Sequence, residues 1–201
     1  MKTALTLAAL CVVFLLVSFS LTVKAEWKTT DVVTSIEASS TRQFITVFLR
    51  RPAGEFRLST LNEHLEDSVA ALLLSYFTKK EVRLSLNGPA ILSAELVTEQ
   101  QGTTEVTGRP VPQTPAHQLP NMRIVSFHPV QSKDVSCLFV NAGSLMANKS
   151  PTNTNCLSPF SKNFSELVHL ITRAWKNQTL VTLELNKKTE IINVLAATTG
   201  E

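Results

Sequence analysis

SVAALLLSYFTKKEVRLSL, residues 68–86, and LVHLITRAWKNQTLVTLEL, residues 167–185, are two readings of one pattern. A shift of 99 positions sets Val69, Leu72 and Tyr76 on Val168, Ile171 and Trp175, and Val82, Leu84 and Leu86 on Val181, Leu183 and Leu185. The first three positions of each copy recur at helical spacing and the last three alternate, so each copy reads as a helix followed by a strand. Both periodicities survive the same shift, which points to a duplicated small domain.

Outward from the first copy, the sequence predicts a strand around Val32–Glu37, a strongly apolar strand at Phe44–Leu49, a turn at Pro52-Ala53-Gly54 and a short strand near Phe56–Leu58. Thr60-Leu61-Asn62-Glu63 has the form of a capping box, and Glu63, Glu66 and Asp67 place negative charge at the helix start. After Lys80 come strand Val82–Leu86, a turn at Asn87-Gly88-Pro89 and strand Ile91–Val97. The second copy repeats the order. It has strands Arg123–His128 and Val135–Asn141, a long loop holding Cys156, a helix from Asn163 to Lys176, and strands Leu180–Leu185 and Ile191–Ala196. Five short strands with a helix between the third and fourth is the OB-fold order, a small Greek-key barrel. The expected fold is mainly β with one helix per module (β-barrel or α+β), as two tandem OB-fold-like modules; a pair of α+β sandwiches of another topology is the alternative.

Residues Leu5–Val23 form an almost unbroken apolar run behind Lys2, ending in Val23-Lys24-Ala25. This reads as a signal peptide, residues 1–25, with the mature chain starting at Glu26. The alternative is a membrane anchor formed by residues 5–23, since a span needs about 20 residues. Removing residues 1–25 takes away Lys2 and Lys24 and no acid, so 19 Lys and Arg fall to 17 against 16 acids, a formal +1. A nearly neutral chain without a Lys/Arg stripe lacks the electrostatic footprint of a nucleic-acid binder. Cys137 and Cys156 then remain, and in an exported protein an even pair across a loop reads as a disulfide. Free thiols are the alternative; a metal site is disfavoured, because no His or Cys sits at ligand spacing around them.

Between the copies, residues 99–121 carry Pro110, Pro112, Pro115 and Pro120 and no aromatic residue, the texture of a semi-rigid linker. It divides an OB-like module at 26–98 from a second at 122–201. Each is near the lower size limit for an independent core, so mutual packing or oligomerisation is expected to supplement it. His64, His117, His128 and His169 are scattered, and no nucleophile elbow, phosphate loop, dinucleotide fingerprint or zinc-protease motif occurs. No enzyme, metal or cofactor is expected. Asn148, Asn163 and Asn177 begin glycosylation sequons, the last two also suiting a helix cap and a turn.

Several residues resemble the binding (B) subunits of pentameric bacterial toxins of the subtilase-cytotoxin and pertussis-like typhoid-toxin type. They are Ala25-Glu26-Trp27 at the mature start, Phe127-His128 late in a first strand, the Cys137/Cys156 pair, Asn163-Phe164-Ser165-Glu166-Leu167 at a helix start, and Val181-Thr182-Leu183 after the turn at Asn177-Gln178-Thr179. The resemblance implies a secreted, non-catalytic subunit that recognises cell-surface glycans, docks a toxin A component and works as an oligomer. The family's sugar-contacting serine matches Thr29 or Thr30, ahead of Val32-Val33, in the first module; in the second the position is Pro120, which has no hydroxyl. Trp27 is free to stack on a sugar face, whereas Trp175 lies on the apolar side of a repeated helix and reads as buried. The other reading of Thr29 and Thr30 is a polar strand entry, and the other reading of the protein is a periplasmic or secreted assembly module without glycan binding.

Overall fold

The computed structural model describes residues 26–51, 53–97, 115–144 and 153–196. The expected signal segment with its alternative as an anchor, most of the linker and the sequon at Asn148 lie outside the described residues. Among those residues no helix is long and apolar enough to cross a membrane.

The protein is mainly β, with eleven strands and two helices among the described residues. In chain order they are β1 (Trp27–Asp31), β2 (Val33–Ser39), β3 (Phe44–Leu49), β4 (Gly54–Ser59), α1 (Leu65–Thr78), β5 (Val82–Asn87), β6 (Ala90–Leu96), β7 (His117–Gln131), β8 (Ser136–Ser144), β9 (Asn153–Leu157), α2 (Phe164–Asn177), β10 (Leu180–Leu185) and β11 (Ile191–Ala196). The strands hydrogen-bond into one sheet in the order β1-β5-β6-β4-β3-β2-β7-β10-β11, with β8 on β7 and β9 on β8.

The pairing repeats as the sequence does. In the first half β1 pairs with β5, β5 with β6, β6 in parallel with β4, β4 with β3 and β3 with β2. Since β1 and β2 are separated only at Val32, this path leaves one stretch of chain and returns to it. The Asp31 carboxylate occupies that corner, accepting the Val32 N–H at 2.7 Å and the Arg51 N–H. In the second half β7 pairs with both β10 and β8, β10 with β11 and β8 with β9, and a parallel bridge from Cys156 to Glu190 joins β9 to the start of β11. The parallel contact recurs at the matching place, Arg57 to Ala90 in one half and Cys156 to Glu190 in the other.

Four local expectations differ from what is observed. Cys156 lies in strand β9, not in a loop: Asn153–Leu157 has no apolar alternation, and its pairing to β8 and the Cys137–Cys156 disulfide, Cα to Cα 5.6 Å, hold it extended. Strand β7 begins at His117, within the stretch read as linker. Pro120 and Asn121, whose φ is +56°, fall where the β7–β10 register slips, so the missing proline N–H breaks no ladder bond. The capping box does not form, because Thr60 Oγ1 donates to the Gln43 carbonyl and Asn62 Oδ1 instead accepts the His64 N–H at 2.7 Å. Nor does Asn163 make a side-chain cap bond on α2.

The two halves share one core, which runs from Val33 through α1 and α2 to Val194. The helices lie antiparallel: Glu66, near the start of α1, meets Arg173, near the end of α2, and Phe77, near the end of α1, meets Phe164 edge-on at 5.8 Å. Strands β2 and β7 also pair antiparallel across the seam, Ala38 opposite Phe127 and Ser39 opposite Ser126. Each half thus presents the same two elements to the other, in the manner of a two-fold pair.

Candidate functional site

A polar groove of about 420 Å³ runs along the seam between β2 and β7. Its walls follow from strand periodicity. Ile36 and Ala38 of β2 and Phe127 of β7 point into the core, so Ser35, Glu37, Ser39, Ser126 and His128 point out. One step along the observed β2–β7 register from Ala38 and Phe127 sets Glu37 opposite His128, at the centre of the pseudo-two-fold seam. Thr41 and Arg42, in the turn after β2, close one end of the groove.

A row of hydrogen-bonding groups crosses five strands here. Arg42 Nη1 donates to Thr46 Oγ1 on β3 at 3.3 Å, and Ser39 Oγ lies 3.0 Å from Thr41 Oγ1. On the far side Asn141 Nδ2 of β8 donates to Ser126 Oγ at 2.9 Å, and Thr154 Oγ1 of β9 donates to Asn141 Oδ1 at 2.7 Å. The His128 ring rests beside Phe139, centroids 5.8 Å apart. Among the described residues the Glu37 carboxylate has no ion pair or hydrogen bond, although it lies in the same groove as the Arg42 guanidinium. The groove offers a carboxylate acceptor, a guanidinium donor, an imidazole and several hydroxyls, all on paired strands or the turn joining them. No group of three His, Cys, Asp or Glu that could hold a metal ion occurs among the described residues.

The residues singled out from the sequence lie elsewhere on the same stretch. Trp27, Thr29 and Thr30 are on β1, opposite Leu86, Leu84 and Arg83 of β5. Trp27 and Thr29 share one face, and Thr30 projects from the other, as adjacent strand residues must. Trp27 is exposed and Thr29 half-buried. His128, noted in the sequence as one of four scattered histidines and as part of a Phe-His pair, does line the groove. The Cys137–Cys156 disulfide is formed, which fits an extracellular or periplasmic location. Trp175 is buried, edge-on to Phe127 at 5.7 Å.

What sequence reading missed is the groove itself. Its one local signal was the outward alternation of Ser35, Glu37 and Ser39, which marks a polar face but not the partner strand beside it. Comparison of the chain with protein-family models, with curated proteins and with solved structures returns no match.

Proposed function

We propose that the chain is a secreted, non-enzymatic binding protein, built as two OB-fold modules fused face to face, that holds a glycan in the groove between them. The module reading is supported by the pairing order: each half runs through five strand positions back to its first, with the parallel contact of its third and fifth positions preserved. The binding reading rests on one observation, the concentration at the seam of outward hydroxyls, the unpaired Glu37 carboxylate, Arg42 and His128. Sugar hydroxyls are recognised by such convergent donors and acceptors, with charge-assisted bonds contributing most. The proposal assigns the groove no catalysis.

The likeness to toxin B subunits enters the proposal for the module rather than for a ring. Ring neighbours meet through two different surfaces, whereas these halves meet through the same surface twice, and such a contact closes on itself. The pair therefore acts as one unit, and a catalytic or other protein partner would dock on its outer faces.

The test is a glycan array probed with residues 26–201 made under oxidising conditions. Two variants accompany it, Glu37→Gln with His128→Ala in the groove, and Thr29→Ala with Thr30→Ala on β1. Binding lost in the first and kept in the second locates the site at the seam; the reverse moves it to β1. A blank array from folded protein replaces the glycan reading with that of a protein-binding assembly module.

A further inference from the structure

The turns that lead into the two helices are one turn built twice. Ser59 Oγ accepts the Leu61 N–H at 3.1 Å, and Ser158 Oγ accepts the Phe160 N–H at 3.4 Å. Asn62 N–H donates to Ser59 O at 3.1 Å and Leu65 N–H to Asn62 O at 3.3 Å, while Ser161 N–H donates to Ser158 O at 3.1 Å and Phe164 N–H to Ser161 O at 3.0 Å. Every residue pair is related by the 99-position shift that relates the helices.

At its tip each turn holds one large apolar side chain in water. Leu61 is 87% exposed and Phe160 82%, whereas the next most exposed large hydrophobic among the described residues, Val135, is at 43%. A lone exposed apolar side chain is ordinary on a protein surface. The same position in both halves, on a turn fixed by the same bonds, is a repeated display. Two residues further on, the matched positions carry opposite charges, Glu63 and Lys162, and both are exposed. Because the helices are antiparallel and fourteen residues long, the two tips lie toward opposite ends of the helix pair, about 20 Å apart.

We propose that two copies of this protein associate through these turns, Leu61 of one copy against Phe160 of the other, with Glu63 facing Lys162 across the contact. Charge selects this pairing, since like tips would set two acids or two bases against each other. Each copy offers one tip of each kind, so a two-fold arrangement that sets both tips of one copy against both tips of the other makes two equivalent contacts and closes. The tips are small beside the roughly 1,600 Å² of a standard stable interface, so the association is weak and depends on concentration, with the second contact strengthened by the first. This inference is independent of what the seam groove binds.

The experiment is sedimentation velocity of residues 26–201 across a concentration series, alongside circular dichroism to confirm that each variant is folded. The wild-type coefficient is expected to rise with concentration, and Leu61→Ser with Phe160→Ser to abolish the rise. Glu63→Lys should weaken association about tenfold, and adding Lys162→Glu should restore it. Three results would overturn the proposal: a wild-type protein that stays monomeric throughout, a charge-swapped pair that fails to recover, or a monomer whose tips instead carry it onto phosphatidylcholine vesicles in flotation.

Discussion

The two helices occupy the same place in their halves, yet they are embedded differently. Helix α1 buries nine of its fourteen residues, among them Ser68 and Ser75, and only Asp67 and Thr78 are fully exposed. Helix α2 buries seven and turns a charged face outward, with Glu166 and Arg173 exposed. The cause is position: α1 packs on β6 and β2 on one side and on α2 on the other, so little of it faces water and its sequence is apolar nearly all round. Its two buried serines are satisfied by backbone, Ser68 Oγ accepting the Ala94 N–H at 3.2 Å and Ser75 Oγ accepting the Val33 N–H at 3.2 Å while donating to Lys80 O at 2.7 Å. At the matching positions α2 carries Leu167 and Ala174. The first half is stitched through its helix; the second relies on a buried tryptophan and a disulfide.

The sharpest way to break this comparison is to truncate the matched aromatic residues. Trp175→Ala should cost about 3–5 kcal/mol, because the ring is 1% exposed and packs edge-on against Phe127. Tyr76→Ala, at the matched but half-buried position, should cost clearly less. Equal losses in denaturant midpoint would mean that the halves are more alike in packing than their helices suggest. Next in size is the disulfide. It spans a sequence separation of 19, and its removal by Cys137→Ala with Cys156→Ala should cost about 3 kcal/mol in the chain-entropy picture. Hydrogen exchange should then quicken in β8 and β9 before it does in β3 and β4, which have no such link.

The serine stitches come third. Ser75→Ala leaves the Val33 N–H and the Lys80 carbonyl without this partner in a buried site, for an expected loss of about 1–3 kcal/mol. A chemical denaturation series comparing Ser75→Ala with Ala174→Gly would separate this hydrogen-bonding loss from the helix-propensity loss of about 1 kcal/mol that glycine brings to α2.

The residues that made the fold legible are those that form a local apolar run or a local period. Phe44–Leu49, Leu180–Leu185 and Ile191–Ala196 are strands over the residues the sequence marks out, the second with alternating burial, and Tyr76 and Trp175 pair under one shift. Strand β9 was not legible, because Asn153, Thr154 and Asn155 owe their conformation to β8 and to a covalent bond rather than to their own pattern. The same holds for the groove. Ser35, Glu37 and Ser39 mark an outward face, but the strand that completes the wall comes from the other half of the chain, and no local period encodes that pairing. The separation of Thr29 from Thr30, by contrast, was implicit in the period of two and needed no structure.

The smallest effect tests what joins the two helices rather than what fills them. Arg173 Nη2 lies 2.7 Å from Glu66 Oε2 and Arg173 Nε lies 3.1 Å from Glu66 Oε1, a two-point contact, while His169 Nε2 is 3.5 Å from Asp67 Oδ1. The hydrogen bonds and charge of Arg173 hold the Glu66 carboxyl below its ordinary value of 4.5, against the opposing cost of its partial burial. A carboxylate whose folded value is depressed stabilises the fold above its unfolded value, and that contribution is lost as pH falls through the folded one. Arg173 stands in solvent, so the gain is screened and stays below that of the serine stitches. Glu66→Gln should therefore lower the denaturation midpoint slightly at neutral pH and by a diminishing amount below about pH 4.5, until wild type and variant coincide in acid. A midpoint difference that persists unchanged at low pH would assign the loss to packing between α1 and α2 instead of to the ion pair.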